Sequence, residues 1–339
     1  MAKGIISDCH RLCCNAARSR AIRESDLILL IGAKLDWMLR SNLTGSPKTI
    51  VSLNAREIHE HYYGQEEPSL YTTLVRVDDP GCFGKIESIL ASVSVTSTSI
   101  GLCWIQHAQD KRSELDERLE KALICRYDGS CRLDYYSAMA ALRSQLYWAE
   151  ERSCNSVWSA GWTLVAEGAK TMDITRIVFD QKYPKSRLDA GSFATMGIGL
   201  PSILAASHME RPIIAVLGDS AFGFSLAELE TLARYRIGNL LLLVINNSGI
   251  STGLGSSCSE IETGSPLLIA PTQLSPETAY ELVAKGLTQS ACDNDDYSVS
   301  CHRVDRLPRF LDLLQECLGT MSRSKLYFIN VIIDPGSKL

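Results

Sequence analysis

Ile213-Ile214-Ala215-Val216-Leu217-Gly218-Asp219-Ser220 decides the reading of this chain, together with Leu240-Leu241-Leu242-Leu243-Val244-Ile245-Asn246-Asn247-Ser248-Gly249 downstream. Each is a short apolar run, partly β-branched and halted by polar residues, which predicts a buried parallel strand. Between them, residues 224–235 have helical spacing, with Leu226, Leu229 and Leu232 recurring before Gly238-Asn239. Strand–helix–strand puts the C-terminal ends of both strands on one sheet edge, where open α/β sheets take ligands. There the Asp219 carboxylate and the Asn247 amide oxygen can converge on one hard cation. Mg²⁺ suits such oxygens, because it takes about six of them and commonly bridges a protein to phosphates.

The same grammar extends outward. Residues 26–32 and 49–53 read as strands, and residues 83–91 and 111–123 as helices. A polar, Gly-containing connection at 126–131 marks a domain boundary. Beyond it the pattern predicts a helix at 134–146, a strand at 163–167 and a helix at 194–207. A long Gly/Ser-rich loop to Pro271, helices at 276–285 and 306–319, and a last strand at 327–333 complete the chain. Residues 147–159 and 292–300 read as surface insertions. The expected fold is α/β, with two domains of parallel sheets flanked by helices.

A length of 339 residues suffices for two domains, and 45% apolar residues support real cores. A net charge of −5 and a pI near 5.8 give no electrostatic reason to expect nucleic acid as a partner. No apolar run approaches the roughly 20 residues of a membrane helix, so no membrane span is expected. Residues 1–11 carry no secretory-type apolar stretch. The twelve cysteines have no disulfide-framework spacing, and Cys9, Cys13 and Cys14 with His10 lack the second ligand pair of a zinc site. Ser337-Lys338-Leu339 is the tripeptide read by the peroxisomal import receptor, so peroxisomal localisation is expected.

Gly218-Asp219, a helix, then Asn246-Asn247 with Gly249 resembles the signature of enzymes dependent on thiamine diphosphate. Within that superfamily the chain is similar to 2-hydroxyacyl-CoA lyases. The likeness rests on the stretch 218–225, on Glu167-Gly168-Ala169 and Thr171-Met172-Asp173, and on Arg187-Leu188-Asp189-Ala190-Gly191-Ser192-Phe193 with Thr195-Met196-Gly197. Upstream, Gly4, residues 16–21 and residues 32–37 resemble that family's middle domain. The resemblance implies a partial central domain at 1–125, a linker at 126–131, a C-terminal diphosphate-binding domain at 132–335 and a tail at 336–339.

The cofactors so implied are thiamine diphosphate and Mg²⁺. By resemblance Asp219, Asn247 and the Gly249 carbonyl hold the metal, Gly218 admits the diphosphate, and Ser220 and Ala221 offer it backbone N–H groups. Met196 is the apolar wedge beneath the bent cofactor, Glu167 and Gly168 meet it near the pyrimidine ring, and Ile250 lies beside it. Ser220, Lys170 and Ser251 stand where the family usually has Gly, Asn and Tyr, and Asn54 replaces an expected acid. Arg18, Arg20 and Lys34 fall by resemblance near a nucleotide-binding surface.

The implied reaction is cleavage of a 2-hydroxyacyl-CoA to formyl-CoA and an aldehyde one carbon shorter, as in fatty acid α-oxidation. An acyl-CoA is the implied substrate, and a second copy or a full-length relative the implied partner. In that superfamily the activating glutamate lies in an N-terminal domain, and no glutamate here has its context, so no catalytic residue is assigned to this chain. A non-catalytic cofactor-binding isoform is the alternative, and an oxalyl-CoA decarboxylase a second one. Phe193, where the decarboxylase typically has Trp, leans toward the lyase.

Overall fold

The computed structural model describes residues 22–31, 49–53, 73–77, 99–152, 160–180, 185–191, 193–251, 271–291 and 296–334, with a few single positions between them. Of the helix read at 83–91 only Gly84 and Ser88 are described, both helical, and the cysteines at 9–14, Arg18, Arg20, Lys34, Asn54 and the terminal tripeptide lie outside the described residues.

Two compact units divide the chain between Ser113 and Glu114. The division falls inside a helix, α1 (Ser99–Arg126), upstream of the polar connection at 126–131. The smaller unit holds a parallel three-stranded sheet, β1 (Leu27–Ile31), β2 (Thr49–Leu53) and β3 (Thr73–Val77), in that order. Leu27 and Leu29 are exposed while Leu30 is buried, so β1 is covered on one face and not on two. Strand β3 is not among the strands read from the sequence.

In the larger unit, six strands are all parallel in the order β5-β4-β6-β7-β9-β8: β4 (Thr163–Glu167), β5 (Arg187–Asp189), β6 (Ile213–Gly218), β7 (Leu240–Asn246), β8 (Ser298–Val304) and β9 (Lys325–Ile332). Both decisive stretches are strands, buried along their whole length. Alternate residues feed opposite cores, because strand side chains point to opposite faces in turn. Ile214, Val216, Leu241 and Leu243 pack with α2 (Tyr135–Glu151), α3 (Ala169–Val178) and α8 (Leu307–Gly319). Ile213, Ala215, Leu217, Leu240 and Leu242 pack with α4 (Gly199–Ala206), α6 (Glu228–Arg234) and α7 (Tyr280–Thr288).

Several boundaries differ from the sequence reading. The helix read at 224–235 starts at the strand end as α5 (Asp219–Ser225), tightens through i→i+3 bonds from Leu229 and Glu230, and resumes as α6. The helix read at 194–207 begins only at Gly199, since Ala194 and Gly197 adopt left-handed φ. That read at 276–285 begins at Tyr280, because Glu277 is left-handed and its N–H is held by Ser248 Oγ at 3.0 Å. Neither insertion is simply a surface loop. Residues 147–151 complete α2, and Trp158 is buried in the core. Ser298–Ser300 open β8, whose polar residues suit a half-open sheet edge.

Candidate functional site

The chain leaves β4 toward β5 on one side and returns to β6 on the other, so the order reverses between β4 and β6. A crevice opens at such a switch point, outside the carboxyl ends of the strands. Glu167-Gly168 and Gly218-Asp219 end the two strands there, with Glu167 opposite Leu217 in register.

Two glycines let these turns touch. Gly168 has φ +102°, and a Cβ on it would lie 3.3 Å from the Gly218 nitrogen and 3.5 Å from Ala221 Cβ. A Cβ on Gly218 would stand 3.2 Å from Thr171 Oγ1. The result is a side-chain-free notch that brings Gly168, Gly218 and Ala221 together, as a diphosphate requires of backbone that approaches it.

Asp219 closes the notch and is 1% exposed. Its Oδ1 accepts the Ser220 N–H at 2.7 Å and its Oδ2 the Gly249 N–H at 3.1 Å. Burial pushes this carboxyl up to about 6, against the lowering effect of the backbone N–H donors. Asn247 is also buried, and its Nδ2 donates to the Tyr135 hydroxyl and to the Ser251 carbonyl, each at 3.0 Å. Ser248 and Ser251 both have left-handed φ, near +60°, in the turn that carries Gly249. Burial, with the Asp219 charge adding to it, raises the phenols of Tyr135 and Tyr280, the latter to about 12. The site is thus built around a buried carboxylate.

That donor set suits a hard cation held jointly with a ligand. Among the described residues no group of three or more His, Cys, Asp or Glu side chains converges, so a metal here needs oxygens beyond the protein's carboxylates. Each Asp219 oxygen accepts one N–H bond and keeps a second lone pair. A divalent ion would offset the desolvation that raises this carboxyl.

Glu167 is fully buried, and its carboxylate accepts N–H bonds from Gly197, from Ile198 at 3.2 Å and from Gly199 at 2.6 Å. Burial raises its pKa, opposed by those three donors. Both oxygens are therefore committed to the backbone that follows half-buried Met196. Phe224 neighbours Gly197, and Phe193, Phe224 and Ile250 are exposed apolar side chains along this edge. Lys170 Nζ stands 5.0 Å from the Tyr135 ring centre, with its pKa lowered by burial.

Asp219, Ser220 and Gly249 meet directly, whereas the Asn247 side chain bonds Ser251 and Tyr135 and no bond joins it to Asp219 among the described residues. Tyr135 was not singled out by the sequence, because it lies 112 residues from Asn247 and opens an ordinary core helix. Gly199→Ala tests the Glu167 bracket: its Cβ would lie 2.5 Å from Glu167 Oε2 and 2.7 Å from Leu217 Cδ2. We expect a loss of about 1–3 kcal/mol in a thermal or urea melt. Gly223→Ala, on α5 with open space around it, should be neutral or slightly stabilising.

Residues 167–265 match the family described as thiamine pyrophosphate enzyme, C-terminal TPP binding domain. Over its whole length the chain is 33% identical to a 2-hydroxyacyl-CoA lyase of Saccharomyces cerevisiae, covering 55% of that protein. Over 84% of its length it is 32% identical to 2-hydroxyacyl-CoA lyase 1 of Homo sapiens, covering 47%. Over 99% it is 31% identical to oxalyl-CoA decarboxylase of Escherichia coli, covering 53%. The chain spans about half the length of the curated relatives it matches.

Proposed function

We propose that this chain holds thiamine diphosphate and Mg²⁺ in the β4–β6 crevice, a reading supported by the match of residues 167–265 to the C-terminal TPP-binding domain of thiamine pyrophosphate enzymes. The reaction it serves is cleavage of a 2-hydroxyacyl-CoA into formyl-CoA and a shortened aldehyde. The observation that carries this reading is the buried Asp219 carboxylate, set on a glycine notch and facing the Asn247–Gly249 turn.

Asp219, the Asn247 amide oxygen and the Gly249 carbonyl would hold the metal, while Gly218 and the N–H groups of Ser220 and Ala221 would line the diphosphate. Met196, held by the Glu167 bracket, and Ile250 would support the rings. When bound, the cofactor supplies the electron sink for breaking the carbon–carbon bond. The chain's contribution is to orient it and to exclude water from the metal side. Phe193 and Phe224, 85% and 68% exposed, support a second polypeptide, another copy or a longer relative, covering this edge.

Product analysis separates the readings. With thiamine diphosphate and Mg²⁺ added and the glutamate-bearing N-terminal domain of a relative supplied, the lyase reading expects an aldehyde alongside formyl-CoA from a 2-hydroxyacyl-CoA. The decarboxylase reading, favoured by the 31% identity to oxalyl-CoA decarboxylase, expects carbon dioxide alongside formyl-CoA from oxalyl-CoA. Cofactor binding without either product would support a non-catalytic role. Peroxisomal import through Ser337-Lys338-Leu339 belongs to the same reading. An N-terminal fluorescent fusion should give a punctate peroxisomal pattern that becomes diffuse when Leu339 is deleted. An unchanged pattern would refute it.

A further inference from the structure

We propose that the opposite, N-terminal edge of the larger sheet carries a second small-molecule site, for a phosphate monoester with a neighbouring hydroxyl. A cavity of about 310 Å³ opens where β6, β7 and β9 begin, lined by Arg211, Arg236, Asn239, Arg323, Ser207 and Glu210 among others. It lies at the far end of β6 from Asp219, about 16 Å away along the strand, so it is not part of the crevice described above.

Charge and unmet hydrogen-bonding capacity both point to an anion. Three arginines and one carboxylate, Glu210, are among the residues that line the cavity, and Glu210 pairs with Arg323 at 3.2 Å at an exposed position. Arg211 is half-buried, and its Nη1 is enclosed without a hydrogen-bond partner. Its guanidinium lies 5.5 Å from the Tyr183 ring, which steadies its direction. Arginine forks match phosphate oxygens in geometry as well as charge.

Asn239 supplies the second element. It is 8% exposed, and its Oδ1 has no hydrogen-bond partner. The residue cannot turn away, since its N–H donates to the Ser322 carbonyl at 2.6 Å and its carbonyl accepts from Ile213 at 2.8 Å. Arg236 and Asn239 both hold left-handed φ, near +55°, where non-glycine residues are rare. Between them Gly238 lies against the Arg323 carbonyl, with no room for a Cβ. A buried carbonyl oxygen without a donor is costly, and a ligand hydroxyl would relieve it. The cavity is roughly ten times a water's share of liquid volume, enough for a phosphate and a few further atoms.

Calorimetry on the full chain tests this with glycerol 3-phosphate and inorganic phosphate as probes. Glycerol 3-phosphate should bind more tightly than inorganic phosphate. Arg211→Gln should weaken both about tenfold, and Arg236→Asn should act in the same direction. Asn239→Gly, which suits the left-handed backbone, should erase the preference for glycerol 3-phosphate. Asp219→Ala should leave both affinities unchanged. The proposal is overturned if neither probe binds at millimolar concentration, if the arginine variants bind as wild type does, or if only Asp219→Ala loses binding. Should Arg211→Gln fail to fold, Arg236→Asn at its exposed position carries the test.

Discussion

Asp219→Ala is expected to abolish cofactor retention, with at least a hundredfold weaker binding of thiamine diphosphate in the presence of Mg²⁺. Removing the Asp219 carboxylate takes away the charged ligand and leaves the Gly249 N–H without this acceptor. A buried ion-pairing group of this kind is worth about 3 kcal/mol or more when one partner is deleted. Binding of the metal and the diphosphate should be strongly cooperative, because no cluster of carboxylates among the described residues could hold the metal alone. Equal affinity in wild type and Asp219→Ala would refute the assignment.

The same residue makes a prediction about pH. Burial raises the Asp219 carboxyl from an ordinary 3.8 to about 6, so the folded chain binds its proton more tightly than the unfolded chain does. Stability contributed by this group therefore falls as pH rises from about 4 to about 6, by on the order of 2–3 kcal/mol. Urea melts of the cofactor-free protein should show this decline, and Asp219→Asn should flatten it. Added Mg²⁺ and thiamine diphosphate should restore stability at pH 7 by favouring the ionised form.

Asp189→Ala is expected to have the largest effect on folding. Its side chain and those of Arg176 and Arg187 are each 4% exposed, with Arg176 Nη2 and Arg187 Nε at 3.1 and 2.7 Å from its oxygens. Arg187 also donates to the Met172 and Thr175 carbonyls, which ties β5 to α3. Loss of the carboxylate removes the buried charge shared by two buried guanidiniums, at a cost of about 3–5 kcal/mol, a large part of the roughly 5–15 kcal/mol that stabilises a domain. Burial alone would raise this carboxyl, but the Arg176 hydrogen bond and the Arg187 charge outweigh it and hold it well below the usual range. The stabilisation is thus complete above the ordinary Asp value near 3.9 and is lost as pH falls below it. A melt series from pH 2 to 7 should show this acid limb in wild type and not in Asp189→Asn. Because Gly191 N–H also donates to Asp189 Oδ1 at 2.9 Å, the variant should loosen the segment leading to Met196 as well. Unchanged stability in both variants would show that the cluster contributes nothing.

Much of this was legible in the chain itself. Two apolar runs ending in Gly-Asp and Asn-Asn became β6 and β7 because a strand buried on both faces needs continuous apolar residues and tolerates polar ones only at its end. Strand β4 was read to the residue for the same reason. Short strands without that pattern escaped. Strand β5 is three residues long and charged at both ends, and β8 is a polar edge strand. Their identity lies in the neighbours that bond them, Leu164 to Ala166 for β5 and Lys325 to Val331 for β8.

What local periodicity determined is therefore the parallel α/β architecture and the strand ends at Gly218-Asp219 and Asn246-Asn247, whereas Gly218 and Gly249 were singled out by the family resemblance and their roles belong to the proposed function. Only the tertiary structure decided what those groups touch. It put the Tyr135 hydroxyl on Asn247, the Glu167 carboxylate on the 197–199 backbone, and Asp189 between two arginines. It also brought Arg211, Arg236, Asn239 and Arg323 around one cavity. The physical reason is that burial, charge pairing and hydrogen-bond satisfaction depend on segments far apart in the chain, and local spacing carries no record of which distant segment arrives.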